Sequence, residues 1–412
     1  MKNPVNDINV LVDKFPLLYG EKNEVQIERY QRLFENFKNS FSTGNAYFAS
    51  SSGRVEVCGN HTDHNGGLVV SCAISLDTIA AFLPNDSNVI NIKSEGYEDI
   101  VVDIDGEEIE KVGTSAALVR GVVVDFVKRG FKVGGFNACF SSNVLGGAGI
   151  SSSASFEVLV AEILNFLYND EKIDAETKAK SAQFAENVYF GKPCGLLDQT
   201  AIAFGGLKKL DFSDRNKIQV SDIDNPLSDY TLVLINTGGS HADLTDEYAS
   251  IPKEMFEVAN VMGKERLIDV GANEFYNNLP KFYGKLKDRA ILRAVHFFEE
   301  NERVEKVYSS LKENDYETFL DTIRKSGMSS LCKLQNCFVA GGNDQLIPKA
   351  LAISEKYLDG GANRVHGGGF AGSILCIVKN TSLDCFVDGV SRFFSKKDIL
   401  PLKVRRVGAI VL

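Results

Sequence analysis

Apolar residues recur every three or four positions between Val25 and Phe41, which is the spacing of one face of an α-helix. Helical patterns also cover residues 114–130, 153–170, 175–190 and 286–331. Asp174 precedes the third of these segments and can cap it, because its side chain can accept from an unpaired N–H of the first turn. Strand patterns, in which β-branched residues alternate and glycines punctuate, cover residues 47–60, 66–84, 135–143, 207–212, 230–237, 373–378 and 403–412.

The predicted strands and helices occur in clusters and do not alternate strictly, which indicates an α+β architecture of mixed sheets packed with helices. A chain of 412 residues is too long for one ordinary core, so we expect two domains. We divide the chain into residues 1–205 and 206–412, near the Gly205–Gly206 pair. The final strand is free to return to the first domain.

Composition narrows the class of protein. The formal net charge of −10 and the absence of a basic block argue against a nucleic-acid partner, since phosphate binding needs clustered Lys and Arg. The eight cysteines are scattered without metal-binding spacing, which is typical of small core residues in a reducing compartment. No stretch is long enough to span a bilayer and no apolar leader opens the sequence, so we expect a cytoplasmic protein without a membrane partner. We also expect a monomer.

The stretch GRVEVCGNHTDHNGG, residues 53–67, concentrates chemistry between two predicted strands. It places two of the five histidines, His61 and His64, on either side of Asp63. Taken alone, the stretch is equally compatible with a polar turn. Two further glycine-rich stretches favour a ligand site.

The second stretch, LGGAGISSSAS at residues 145–155, places three glycines before a run of serines that begins a helix. Helix starts leave backbone N–H groups unpaired and glycines allow close approach, so this arrangement favours a phosphate cradle over an ordinary capped loop. It is not a Walker loop, because GxxxxGK followed by Ser or Thr is absent.

The third stretch, HGGGFAG at residues 366–372, contains GxGxxG but leads into a strand. A dinucleotide fingerprint opens a helix, so we reject a Rossmann interpretation. Two interpretations remain for this stretch: a glycine turn beside a ligand, or a tight turn that leads into the strand.

Asp198 lies among apolar neighbours in GKPCGLLDQTAIAFGG, residues 191–206. Isolated burial of a charge is costly, so this carboxylate is either paired or functional. Arg54 is the natural distant partner, in a structural salt bridge or a catalytic pair.

These ordered motifs resemble the galactokinase family of the GHMP kinase superfamily over nearly the whole chain. The family signature GRVNLIGEHTDYNGG corresponds to residues 53–67, the phosphate motif PxGxGLSSSAS to residues 145–155, and GAGFGG to GGGFAG. CGxxDQ appears here as CGLLDQ, and the family's SEY segment as TDEY. The resemblance implies a two-domain GHMP kinase fold with the active site in the cleft between domains, and phosphorylation of the anomeric hydroxyl of galactose by ATP and Mg²⁺.

The resemblance also implies roles for individual residues. Asp198 and Arg54 would stand at the reacting centre, where Asp198 is either a base or a positioning anion. Asp63 would accept from two ring hydroxyls, and His61 would lie near the 6-position. The implied sets are Asn60, His61, Asp63, Gly195 and Tyr248 for the sugar, Gly146, Gly147, Gly149, Ser151, Ser152 and Ser153 for phosphate, and Ser153 and Glu186 for Mg²⁺.

Departures from the family leave the sugar open. Asn60 replaces the glutamate that meets the 6-hydroxyl, and His64 replaces a tyrosine. Because Asn60 removes a charge that would repel a carboxylate by about 4 kcal/mol at 4 Å near a protein surface, galacturonate becomes the alternative substrate. The segments TDHNGG, GLLDQTAI and LQNC resemble the corresponding segments of plant galacturonokinases, whereas CGLLDQ and TDEY retain the galactokinase cysteine and tyrosine. His366 replaces a threonine and Ser52 a proline.

A non-catalytic sugar sensor on the same fold is the alternative from another class. Such sensors lose residues of the serine loop, whereas this chain keeps SSSAS, Glu186, Arg54 and Asp198. The sequence therefore favours an enzyme.

Overall fold

The computed structural model describes residues 3–21, 23–106, 111–144, 146–147, 149–224, 227–239, 244–339 and 341–412. The larger of two sheets has the order β12-β1-β2-β5-β3-β4, with β6 also paired to β2 and β7 paired to β6. Its strands are β1 (Tyr47–Cys58), β2 (Leu68–Pro84), β3 (Val89–Ser94), β4 (Ile100–Asp103), β5 (Phe136–Ser142), β6 (Leu207–Asp211), β7 (Gln219–Asp222) and β12 (Ile410–Val411). All described pairs are antiparallel except β3–β5.

Strand β2 is long enough to serve two partners on one side. Its first half pairs with β6, from Leu68 opposite Asp211, and its second half pairs with β5, from Thr78 opposite Ser142. On its other side β2 pairs with β1. The motif strand β1 therefore lies inside the sheet, between β2 and β12.

Helices cover both faces of this sheet. The helices of the larger sheet are α1 (Phe15–Tyr19), α2 (Glu24–Phe41), α3 (Ser115–Lys128), α4 (Ser152–Tyr168), α5 (Ala175–Phe184) and α6 (Leu197–Phe204). Aromatic residues of α1 and α2 pack on Phe48 and Ile79, and apolar residues of α3 and α4 pack on Phe82 and Phe140. Because both faces are buried, β1 and β2 are apolar or small along nearly their whole length.

The second sheet is antiparallel, in the order β11-β8-β10-β9. Its strands are β8 (Tyr230–Asn236), β9 (Ala362–Val365), β10 (Ser373–Lys379) and β11 (Ile399–Leu402), and the helices of this half are α7 (Thr245–Val261), α8 (Ala272–Asn278), α9 (Asp288–Lys312), α10 (Tyr316–Ser329), α11 (Leu346–Glu355) and α12 (Leu383–Val390). One core joins the two sheets, since Val55 and Val57 of β1 pack with Phe319 of α10 and Leu375 of β10. This shared core holds β1 next to the residues that follow β9.

The α+β prediction of mixed sheets packed with helices is confirmed. The helix predicted over Val25–Phe41 is α2, and Asp174 caps α5 by accepting from Thr177 N at 2.7 Å. The single helical segment predicted over 286–331 is two helices, α9 and α10. The division at residues 205 and 206 remains a prediction, with β6 and β7 belonging to the larger sheet and β12 pairing with β1.

The strand predicted over residues 403–412 is wrong for most of its length, since only Ile410–Val411 forms a strand there. The buried Arg405 explains the break. Its guanidinium donates to the carbonyls of Val407 at 2.9 Å and Gly408 at 2.8 Å, which folds the backbone that follows it into a bend.

Within the described ranges, no helix is both long and apolar enough to cross a bilayer. All eight cysteines are free thiols.

Candidate active site

Arg54 lies next to an irregularity in the pairing of strand β1. The pairing of β1 with β2 shifts register between Ser52 and Arg54, and Gly53 lies at this shift. A Cβ at Gly53 would lie 2.9 Å from the carbonyl oxygen of Ile150, so glycine allows the serine loop to approach the strand. Arg54 N donates to that same carbonyl at 3.2 Å. The local sequence thus brings the first and second motifs into contact.

The Arg54 guanidinium pairs with Asp198, which begins α6. Arg54 Nε and Nη2 lie 2.8 and 2.7 Å from Asp198 Oδ1, and Nη1 donates to the carbonyl of Gly149. The other carboxylate oxygen accepts from the Ser151 hydroxyl. Burial would raise the pKa of Asp198, but Arg54 and Ser151 outweigh it and hold that pKa below its usual value. Asp198 is therefore ionised at neutral pH.

The serine loop precedes α4. Ser151 has a left-handed backbone with φ 64°, and Ser152 and Ser153 form the first turn of the helix, whose leading N–H groups are available to an anion. Gly146 and Gly147 are exposed. Two members of the predicted motif, Leu145 and Ala148, lie outside the described residues.

Ser153 and Glu186 are brought together, as the magnesium prediction requires. Ser153 Oγ donates to Glu186 Oε1 at 2.9 Å, and Lys192 Nζ lies 2.9 Å from the same oxygen. Gln199 Nε2 donates to the other oxygen at 2.8 Å. Hydroxyl and carboxylate oxygens are the donors that Mg²⁺ prefers, so this pair fits an ion that keeps its other ligands from water and phosphate. Sequence reasoning missed Lys192 and Gln199, although Gln199 ends the CGLLDQ motif and Lys192 stands two residues before it.

Asp63 and Gly195 are in contact. A Cβ at Gly195 would lie 1.7 Å from Asp63 Oδ2, so only glycine leaves room for the carboxylate there. That oxygen accepts from Leu197 N at 3.2 Å. Burial raises the pKa of Asp63 to about 6, against the lowering effect of the Leu197 N–H. The contact places the Asp63 carboxylate beside Leu197, the first residue of α6, which directly precedes Asp198.

Three predicted sugar residues bind successive carbonyls of the glycine turn at residues 366–372. Asn60 Nδ2 donates to Gly367 O at 2.7 Å, His61 Nε2 to Gly368 O at 3.0 Å, and Tyr248 OH to Gly369 O at 2.9 Å. The first and third motifs therefore meet here. His61 is neutral at pH 7, since burial lowers its pKa to about 4.

Asn60 does not face the ligand space as the sequence suggested. It is fully buried, and its second amide hydrogen goes to Glu56 Oε1 at 2.9 Å. Its Oδ1 accepts from Asn336 at 2.8 Å and from Ser330 at 3.3 Å. Every hydrogen-bonding position of the amide is used within the protein, so contact with a sugar would require breaking one of these bonds.

A buried polar network that sequence reasoning missed lies behind Asn60. Arg364 Nη2 pairs with Glu56 Oε1 at 3.0 Å, and His296 Nε2 donates to Asn60 O at 2.9 Å. Glu300 Oε1 accepts from Gly59 N at 3.0 Å. Burial raises the pKa of Glu56 to about 7, against the effect of Arg364. The signal was available for α9, where His296 and Glu300 stand four residues apart among buried apolar positions such as Phe297 and Val304.

His64, the second departure from the family, packs beside His61 with ring centroids 5.9 Å apart. Its Nδ1 lies 3.0 Å from Asn65 Nδ2, and its Nε2 has no partner among the described residues. His64 therefore borders the same pocket wall as His61.

The sequence of this chain is similar to family models and to known proteins. Residues 35–84 match the galactokinase galactose-binding signature, and residues 117–206 match the GHMP kinases N terminal domain. A galactokinase of Clostridium tetani is 30% identical over 380 residues, which cover 91% of this chain and 94% of that protein.

Two solved structures share the fold. A Lactococcus lactis galactokinase complexed with galactose superimposes with a TM-score of 0.82 at 24% identity, over 93% of this chain and 100% of that one. A mevalonate kinase of Methanococcus jannaschii gives 0.61 at 14% identity, over 87% of this chain and 98% of that one. The two-sheet architecture is thus that of these kinases.

Proposed function

We infer how the site works from the family of the chain. The chain belongs to the galactokinase family and is a sugar kinase of the GHMP superfamily. The enzyme transfers the γ-phosphoryl group of ATP to the anomeric hydroxyl of galactose, giving galactose 1-phosphate and ADP. The observation that carries the residue assignment is the convergence of Arg54, Ser151 and Asp198. We further propose that it acts in the cytoplasm, which the eight free thiols support.

The Asp198 carboxylate orients the anomeric hydroxyl and accepts its proton. In this reaction the bond between the anomeric oxygen and the γ-phosphorus forms as the bond from γ-phosphorus to the β–γ bridging oxygen breaks, and ADP leaves. Because the pKa of Asp198 is lowered, it is a weak base, and it takes the proton as the new bond forms rather than before. Arg54 stabilises the charge of the moving phosphoryl group.

Ser151, Ser152 and the first turn of α4 bind phosphate oxygens through hydroxyl and backbone N–H groups. Ser153 and Glu186, which are in contact, would hold Mg²⁺, and the ion would supply neutralisation of phosphate charge. Asp63, opposite Gly195, accepts hydrogen bonds from two ring hydroxyls, and His61 and Tyr248 line the remaining wall.

Galactose is the substrate that the contacts favour. The argument for galacturonate required Asn60 to face the 6-position, but its amide is fully used by Glu56, Asn336, Ser330 and Gly367.

Asp198→Ala tests the proposal. We expect galactose-dependent ADP release to fall by about 100- to 10 000-fold, because one positioned proton acceptor is lost, while calorimetry still detects galactose binding. A coupled ADP assay with galactose and with galacturonate measures the first quantity and the sugar preference together.

The matched control is Asp222→Ala. Asp222 of β7 pairs with Lys208 of β6, but its side chain is 72% exposed, so its loss costs little stability and no activity. Unchanged turnover in Asp198→Ala contradicts the assignment, and faster turnover of galacturonate than of galactose contradicts the choice of sugar.

A further inference from the structure

His366 joins the two sheets through only one of its ring nitrogens. It follows β9, its side chain is 2% exposed, and its Nε2 accepts from Glu56 N on β1 at 3.2 Å. A neutral imidazole carries one N–H, so the hydrogen of His366 is on Nδ1. The ring is neutral at pH 7, because burial and the neighbouring Arg54 and Arg364 lower its pKa well below the usual value.

The Nδ1–H group has no hydrogen-bond partner among the residues that the structure describes. It faces the serine loop, since a Cβ at Gly149 would lie 3.5 Å from it and within 4 Å of no other described atom. The same Gly149 has its carbonyl bound to Arg54. The unpaired donor therefore lies beside Gly149 of the phosphate cradle, whose carbonyl binds Arg54.

An unpaired buried donor costs about 1–3 kcal/mol, so its presence calls for an acceptor that the protein alone does not supply. The acceptor must reach Gly149 and Arg54, two groups that the proposed function assigns to the phosphoryl group. Oxygens of that group are strong acceptors, and a neutral donor adds to the binding by Arg54 without repelling it.

We propose that His366 Nδ1–H donates a hydrogen bond to an oxygen of the phosphoryl group in transfer, which makes His366 a further catalytic residue. This inference rests on the proposed function of the site. The imidazole donates without giving up its proton, so no proton balance changes. Its Nε2 serves the fold and its Nδ1 serves the reaction.

Two substitutions separate these two roles. His366→Gln places an amide oxygen near the position of Nε2, where it still accepts from Glu56 N, and removes the donor at Nδ1. His366→Asn places an amide N–H near the position of Nδ1 and removes the acceptor for Glu56 N.

For H366Q we expect kcat to fall by about 10- to 100-fold, the usual effect of one hydrogen bond to a charged group. The KM for galactose and the thermal midpoint should stay near those of the wild type, and the affinity for galactose 1-phosphate should fall while that for galactose does not. For H366N, which keeps the donor, we expect a lower thermal midpoint and a smaller loss of kcat than in H366Q.

A kcat for H366Q within threefold of the wild type would overturn the proposal, as would a loss of kcat in H366N at least as large as the loss in H366Q. If H366Q does not fold, H366N decides: a loss of kcat beyond about tenfold overturns the proposal, and a smaller loss supports it. Wild-type turnover of galactose tests the proposed function, whereas the difference in galactose 1-phosphate affinity between wild type and H366Q tests His366, so the two failures are distinguishable.

Discussion

The Asn60 amide donates a hydrogen bond to the Glu56 carboxylate beneath the loop between β1 and β2 (residues 59–67), here called the sugar loop. The glutamate and the asparagine stand in the reverse of their order in the galactokinase signature. The signature reads GRVNLIGEH where this chain reads GRVEVCGNH, so asparagine and glutamate have changed places. The amide-to-carboxylate bond of 2.9 Å needs one of each, in either order. The exchange explains how the family's charge is kept while the residue at position 60 becomes neutral.

The pair predicts strong coupling. Asn60→Glu alone places a second carboxylate against Glu56 in a fully buried pocket, which we expect to cost about 3 kcal/mol or more in the free energy of unfolding. The double variant Glu56→Asn/Asn60→Glu restores one amide and one carboxylate, and it should recover a large part of that loss. Urea unfolding of the two single variants, the double variant and the wild type measures the coupling. Full stability of Asn60→Glu alone would show that the two side chains do not share this pocket.

Asp63 gives the enzyme a pH dependence on the acid side. Its pKa is raised to about 6, so below that pH the carboxyl is protonated and loses acceptors for the sugar. We expect kcat/KM for galactose to fall by about tenfold per pH unit below 6, while the pKa of Asp198 lies too low to contribute. Initial rates between pH 5 and 8 measure this, with Asp63→Asn as the variant in which the step disappears.

The stability effect of the same group has the opposite sign. The folded pKa of Asp63 lies above the unfolded value of about 3.9, so the folded state binds more protons. Its contribution to stability is fully present below pH 3.9 and is lost as the pH rises through 6. A flat kcat/KM for the wild type between pH 5 and 7 would contradict the role of Asp63.

At the level of single residues, the sequence predicted chemistry better than orientation. Arg54, Ser151 and Asp198 meet as expected because each lies in a motif whose chemistry needs the others. The inward turn of Asn60 could not be predicted, since Arg364 and Asn336, which complete its surroundings, come from distant parts of the chain, and neither the LQNC segment nor the third motif indicates a contact with residue 60.

At the level of elements, α9 supports the sugar loop from behind. Glu300 accepts from the backbone N–H groups of Gly59 and Asn60 at 3.0 and 3.4 Å, from Ser326 of α10 at 2.5 Å, and pairs with Arg303 at 2.6 Å. One carboxylate therefore fixes the loop, α9 and α10 relative to one another.

Glu300→Gln keeps the shape of this contact and removes its charge. We expect it to lower the free energy of unfolding by about 3–5 kcal/mol, because Arg303 loses its buried partner, and to raise the KM for galactose more than it lowers kcat. Glu302→Gln on the exposed side of the same helix is the control, with an expected change within about 0.5 kcal/mol. Equal unfolding midpoints for the two variants would contradict the anchoring role.

The elements themselves were predictable where burial imposes a period. Most of the long helices and the central strands carry strong patterns, and α2 agrees with its prediction to one residue, but the 17-residue helix α7 was not predicted. The short strands β3, β4 and β9 and the helices α11 and α12 were missed, because elements of four to ten residues repeat no pattern often enough. The split between α9 and α10 was missed because Asp315 caps the second helix without interrupting the apolar period.

At the level of the whole molecule, the site forms only where the two sheets meet. Arg54 comes from β1 and His366 from the residue after β9, and the core that joins them contains β1, α10 and β10. The family resemblance predicted this architecture, whereas composition and periodicity alone gave only the fold class.

The pairing of β1 with β12 has a consequence for biosynthesis. Ala49 lies opposite Val411, and the buried Arg405 donates to Ser50 on the same strand. While the ribosome has yet to release residues 405–412, the strand that carries Arg54 keeps one open edge of unsatisfied backbone groups, which is a template for pairing with another nascent chain. Residues 405–412 must therefore be synthesised before Ala49 and Ser50 of β1 are paired on both sides, and chains stalled before this segment would be prone to aggregate.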